Sequence, residues 1–199
     1  MPGITKHFER VDQKLLSSPW GCIAFVWGFA EAILFFIVPD VWLSVVARNK
    51  LTLAVFKALG RAIAGAVIGS VIMYGIGRFH PEKANVFLDG VPGINPGMLD
   101  KARRQMSESG LLALMIGPLQ GIPYKIYTAR WGMNHGNLLL MGLVSVPIRG
   151  LRFLLTVLLT RWVCSLAERR IKIWNKISLM VLAIFWTVFY VCYFFHFGW

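Results

Sequence analysis

From Ser178 to Trp199 the chain carries no Lys, Arg, Asp or Glu. About 20 consecutive apolar residues are enough to span the hydrocarbon core of a bilayer. That stretch places at least one helix in a membrane and constrains everything folded against it. Other long apolar stretches precede it: Trp20–Ala47, broken by Glu31 and Pro39–Asp40; Leu51–Gly77; Leu111–Met133, broken by "GPLQGIP"; and Asn137–Val163, with Pro147, Arg149 and Arg152 inside it. Of all residues, 57% are hydrophobic and 15% charged, against roughly 45–50% and 25% in soluble domains. The excess is too large for one soluble core. The mixed-charge start "MPGITKHFERVDQKLLSSPWG" lacks the small-residue cleavage site of a signal peptide, and Lys6–Lys14 reads as a surface segment.

The net charge is +12, and its placement decides what it means. The cations flank apolar segments, as anionic headgroups and the positive-inside rule require. They do not form the basic face that a nucleic-acid partner needs. Arg161–Lys176 holds five cations and one acid, and Arg48–Arg61 holds four cations and no acid. Both are expected in the cytoplasm. Arg78–Glu108, with five cations and four acids, is expected outside. The N-terminus is then inside and Trp199 outside if Trp20–Ala47 enters the membrane and returns, and if Leu111–Met133 does the same from the other side.

Two features support such returns. Pro39–Asp40 sits where a spanning helix should be most apolar, and Asp40 can cap a returning helix. "GPLQGIP", with Pro118 and Pro123, is the matching break. Broken backbone at membrane depth needs burial in protein or a wet cavity, and inverted repeats with broken helices are a transporter signature. The alternative is a pair of kinked spanning helices. Between the repeats, "DGVPGINPG" cannot be a long helix, and "PGMLDKARRQMSESG" predicts a short one ending at Gly110. Gly65 and Gly69 have the small-xxx-small spacing that lets helices approach closely.

The expected fold is therefore an all-α integral membrane protein: an inverted repeat of two re-entrant helical hairpins, each followed by a transmembrane helix, plus a C-terminal transmembrane helix. Its segments are an N-terminal surface segment (1–19), a first repeat (20–78), a polar connector (79–110), a second repeat (111–163), a basic loop (164–177) and the last span (178–199).

Glu31 and Asp40 are the acids inside apolar segments. A charge at the bilayer centre costs ~2.5–3.5 kcal/mol on insertion scales, and burial favours the protonated carboxyl. Both can serve as proton carriers, or as a structural salt bridge and a cap. The second half carries only cations there: Lys125, Arg130, Arg149 and Arg152. Arg149 and Arg152 share a helical face and, with Lys125 or Arg130 from the opposing arm, are the expected site for a lipid phosphate, since arginine suits bidentate phosphate recognition; snorkelling to the interface is the plainer role. Cys22, Cys164 and Cys192 show neither metal spacing nor a disulfide framework. His135 has no companion ligand, so no metal site is expected, and no cofactor. No Ser-His-Asp or HExxH pattern appears, so the chain is not expected to be an enzyme.

These residues also resemble a known family. Glu31 followed by Pro39–Asp40, "GAVIGSVIMYGIGR" with Gly65, Gly69, Tyr74, Gly77 and Arg78, and "PYKIYTARWGM" with Pro123, Tyr124 and Gly132 are similar to the motifs of the DedA family, the SNARE-associated or VTT-domain membrane proteins. "VPIRGLRF" fits the start of the following helix. The likeness covers roughly Trp20–Trp162. This chain departs from the family in lacking a glycine between Pro39 and Asp40. It also has Gly117, Pro118 and Gln120 where an arginine usually precedes the second break. The resemblance implies a translocator of phospholipid or of a polyprenyl-phosphate carrier, flippase- or scramblase-like and proton-coupled, in a bacterial inner membrane. It extends that role to Glu31, Asp40, Arg78, Arg149 and Arg152. The expected partners are phosphate-bearing membrane lipids, protons and optionally a second copy of the chain, with no nucleic acid. The competing expectations are a proton- or ion-coupled transporter of a small anion and a membrane enzyme acting on lipid headgroups.

Overall fold

The computed structural model describes residues 22–34, 37–48 and 51–197. The expected surface segment Lys6–Lys14 and the terminal Trp199 lie outside them. Every regular element among the described residues is helical. Three helices are long and apolar enough to cross a membrane: α3 (Leu53–Phe79), α8 (Leu138–Arg170) and α9 (Trp174–Phe197). At 1.5 Å per residue each is longer than the ~30 Å hydrocarbon core.

Two shorter helices precede α3. The first, α1 (Ile23–Ile33), has 11 residues and α2 (Asp40–Ala47) has 8, about 16 and 12 Å long. Neither can cross a bilayer. Pro39 stands immediately before α2, where its missing N–H costs nothing. Ala24 packs in one buried cluster with Val55, Ala58 and Ala62 of α3, whereas Ile33 packs against another that contains Met73 and Tyr74. So α1 runs beside α3 in the same direction. Leu43 and Ala47 of α2 are back in the first cluster, so the chain has doubled back.

Close helix approach holds these pieces together. A Cβ added at Gly65 would run into the carbonyl oxygen of Phe25, one at Gly28 into that of Ala62, and one at Gly69 into the side chain of Ala32. The pattern repeats further along α3, where a Cβ on Gly77 would strike the carbonyl of Ala129 and one on Gly132 that of Tyr74. Thus α3 is the shared spine: α1 packs on its first two-thirds and α7 (Tyr124–Met133) on its end.

The connector forms two helices, α4 (Pro81–Asp89) and α5 (Pro96–Ser109). Each has proline in its first turn, and Asn95 caps α5 by accepting from the backbone N–H of Met98 at 2.9 Å. As expected, α5 ends at Gly110, whose φ of +52° suits glycine. The second broken segment is α6 (Leu111–Ile116), a 3₁₀ turn at Gly117–Gln120, a left-handed Gly121, and α7. Its turn is fixed from the side. Gly117 lies against the ring of Tyr127, and Gln105 of α5 accepts from the Tyr127 hydroxyl and donates to Gln120 at 2.9 Å. The Tyr74 hydroxyl donates to the carbonyl of Gly136 at 2.7 Å, steadying the entry to α8.

One boundary differs from expectation. The segment 164–177 is not a loop: α8 continues to Arg170 and α9 starts at Trp174. "CSLAERR" contains no helix breaker, and Arg161 grips Glu168 with two hydrogen bonds of 2.9 and 2.8 Å. Phe153 and Val157 of α8 lie in the first cluster beside Ala62, and Met141 lies in the second. So α8 runs antiparallel to α3.

Candidate functional site

Four charged side chains meet where the broken segments face α8. Glu31 on α1 is 5% exposed and receives Nη1 of Arg149 at 2.5 Å. Asp40 at the start of α2 is 3% exposed. It accepts from Arg152 Nη2 at 2.8 Å and from the Thr156 hydroxyl at 2.5 Å. Asp40 is the first residue of α2, directly after the N-cap residue Pro39, so its negative charge stands in the first turn as expected while its carboxylate is bonded across to α8. Arg152 and Thr156 of α8 lie across from it and offer a cation and a hydroxyl.

A cavity of about 320 Å³ opens on this cluster. Glu31, Asp40, Lys125 and Arg152 all line it, and so do Pro118, Gly121 and Pro123 from the second broken segment. Lys125 is 2% exposed, although it points into the charged zone. Arg149 is set one layer deeper. It does not line the cavity, and its guanidinium lies 4.7 Å from the centre of the Tyr124 ring. The Tyr124 hydroxyl shares a 2.6 Å hydrogen bond with Ser145. Arg149 uses Nη1 on Glu31, while its Nε and Nη2 are buried with no hydrogen-bond partner among the described residues.

Arg130 does not belong to this cluster. It lines a separate surface pocket with Asp100 and Arg103, at the connector. Arg78, Tyr74, Gly77 and Gly132 form the α3–α7 contact and not the cavity wall. Gly65 and Gly69 form the α1–α3 contact. No group of three or more potential metal ligands occurs among the described residues.

The far wall was not foreseen. It is built by α9, through Phe185, Trp186, Phe189, Tyr190 and Tyr193. Tyr190 accepts from the backbone N–H of Val38 at 2.9 Å, and Trp186 donates to Ser44 at 2.9 Å, so α9 is hydrogen-bonded to the first broken segment at two levels. Positions 186, 189, 190 and 193 follow helical spacing. That aromatic stripe in "FWTVFYVCY" was the available signal. Thr156 had none beyond standing four residues after Arg152.

Over 164 residues, which is 79% of this chain and 84% of the relative, the sequence is 30% identical to an uncharacterised protein of Haemophilus influenzae. The chain belongs to that protein's family. No family model matches it, and no solved structure does. The matched length exceeds that of any single broken segment or span, so family membership rests on the assembled helices rather than on one greasy helix.

Proposed function

We propose that this membrane protein is a lipid translocator, flippase- or scramblase-like, that takes the phosphate-bearing head of a phospholipid or polyprenyl-phosphate into the charged cavity. In this reading α1–α2 and α6–α7 are the two re-entrant hairpins of an inverted repeat of the DedA type. The membrane is the bacterial inner membrane, as befits a relative from Haemophilus influenzae. The observation that carries the reading is the pairing of two buried acids with two arginines at a cavity also lined by Lys125.

The chemistry follows from the pairing. In the empty cavity Glu31 and Asp40 neutralise Arg149 and Arg152. A phosphate entering beside Lys125 and Arg152 competes with the carboxylates for the same donors. A buried carboxylate that loses its cation favours its protonated form, so phosphate binding draws in protons and release expels them. Arg152, on the cavity wall, meets the phosphate first. Arg149, one layer deeper, is released once Glu31 lets go of its Nη1. Charge-assisted arginine–phosphate bonds are the strong, bidentate kind.

Purified protein in vesicles tests this. Fluorescent phosphatidylglycerol should move between leaflets faster than fluorescent phosphatidylcholine. Arg152→Lys should slow that movement, because the charge stays but the planar fork goes. Equal rates for both lipids in the presence and absence of protein would end the proposal. Movement of inorganic phosphate without any lipid movement would assign the same cavity to a small-anion transporter.

A further inference from the structure

We infer that the apolar groove between the first broken segment and α9 holds the hydrocarbon chain of the molecule whose head enters the charged cavity; the inference rests on the lipid reading above. The groove has a volume of about 770 Å³, within the range of ligand sites and larger than the charged cavity. Trp27, Ile37 and Val41 form one wall, and Val191, Phe194 and Phe195 the other. No charged residue lines it.

Two observations fix the class of occupant. First, the polar atoms of its aromatic rings are already engaged. Trp27 donates to the carbonyl of Ile37 at 2.9 Å, Trp186 donates to Ser44, and Tyr190 holds the N–H of Val38. The groove therefore presents ring faces and aliphatic carbons, which suit an alkyl or isoprenoid chain. Second, Trp186 and Tyr190 line both the groove and the charged cavity. The two spaces are neighbours across a pair of side chains. One side offers cations and the other hydrocarbon, and an amphiphile with an anionic head has those two ends. Val191 is 48% exposed and Phe195 89% exposed, so the groove is open along α9 for a chain to enter from the side.

Phosphatidic acid carrying a photoreactive diazirine midway along one acyl chain, in phosphatidylcholine vesicles with the full chain, tests the inference. Crosslinks should concentrate on Ile37, Val41, Val191 and Phe194. They should exceed those on the exposed α8 residues Leu139, Leu155 and Leu159 by about tenfold, which corresponds to about 1.4 kcal/mol of preference for the groove. Val191→Trp and, independently, Thr187→Trp should fill the groove and bring its labelling down to the α8 level. Labelling of α8 should not change, which reports that the variants still insert and fold. Equal labelling of groove and α8 surface in the wild type would overturn the inference. So would groove labelling untouched by both tryptophans, or protein–protein adducts in place of lipid adducts. A diacylglycerol probe of the same chain separates this from the functional proposal. If it labels the groove as strongly as phosphatidic acid does, the chain site stands and the charged-head reading fails. If phosphatidylglycerol moves between leaflets but the groove is unlabelled, the reverse holds.

Discussion

Replacing Glu31 by leucine should be among the most damaging single changes outside the glycine contacts. Arg149 is 3% exposed, and Glu31 is its ion-pair partner at 2.5 Å. Its Nε and Nη2 are already without partners, so the substitution would strand the guanidinium with no acceptor for Nη1. Breaking a buried pair from one side costs about 3–5 kcal/mol, while replacing both partners by apolar residues is often neutral or stabilising. Glu31→Leu should therefore lose about 3–5 kcal/mol, and Glu31→Leu with Arg149→Met should recover most of it. The coupling from the double-mutant cycle should then be about 3 kcal/mol or more. Arg152 supplies a control. Its side chain is 41% exposed, and Asp40, although buried, keeps the Thr156 hydroxyl, so Arg152→Met should cost less than Glu31→Leu. Reversible unfolding in detergent mixed micelles with increasing dodecyl sulfate, followed by tryptophan fluorescence, gives each term. A Glu31→Leu loss below that of Arg152→Met, or a cycle with no coupling, would refute the reasoning.

Other expectations come from separate observations. Gly65→Val and Gly132→Val should abolish the folded species on size exclusion, since backbone carbonyls occupy the space of their side chains. Gly60→Ala and Gly142→Ala, with no atom within 4 Å of the added Cβ, should be neutral or stabilising by about 0.5–1 kcal/mol. Cysteine placed at Gly93 in a chain lacking native cysteines should react with an impermeant maleimide from outside, and cysteine at Lys172 from the cytoplasm, in line with the cation distribution. Tyr190→Phe should cost about 1 kcal/mol by leaving the Val38 N–H without its acceptor, with an unfolding midpoint as the readout.

The backbone breaks were legible because they are local. Pro39, Pro118, Gly121 and Pro123 interrupt helices by their own geometry, and the break positions in the structure follow them. The glycine contacts on α3 were legible as spacing, though not which helix each would meet. The ion pairs were not: Glu31 and Arg149 are separated by 118 residues, and Asp40 and Arg152 by 112. Helix faces foretell that such groups point inward, but only the packing assigns partners. Arg130 shows the cost of reading charge along the chain. It follows Lys125 by five residues, more than a turn of α7, and so faces Asp100 and Arg103 instead of the cavity. The continuation of α8 through "CSLAERR" departs from the expected basic loop because cations mark where a span leaves the membrane and not where its helix ends, and nothing in that run breaks a helix.

The exchange of partners between carboxylate and phosphate is best tested by counting protons. Purified protein in weakly buffered detergent at pH 7 would be mixed with short-chain phosphatidylglycerol, whose diester phosphate does not titrate near neutrality, and pH followed with an indicator dye. The account predicts proton uptake that saturates together with lipid binding, is reduced in Glu31→Gln and in Asp40→Asn, and is absent in the double variant. Saturable binding of the lipid with no proton uptake by the wild-type chain would contradict it.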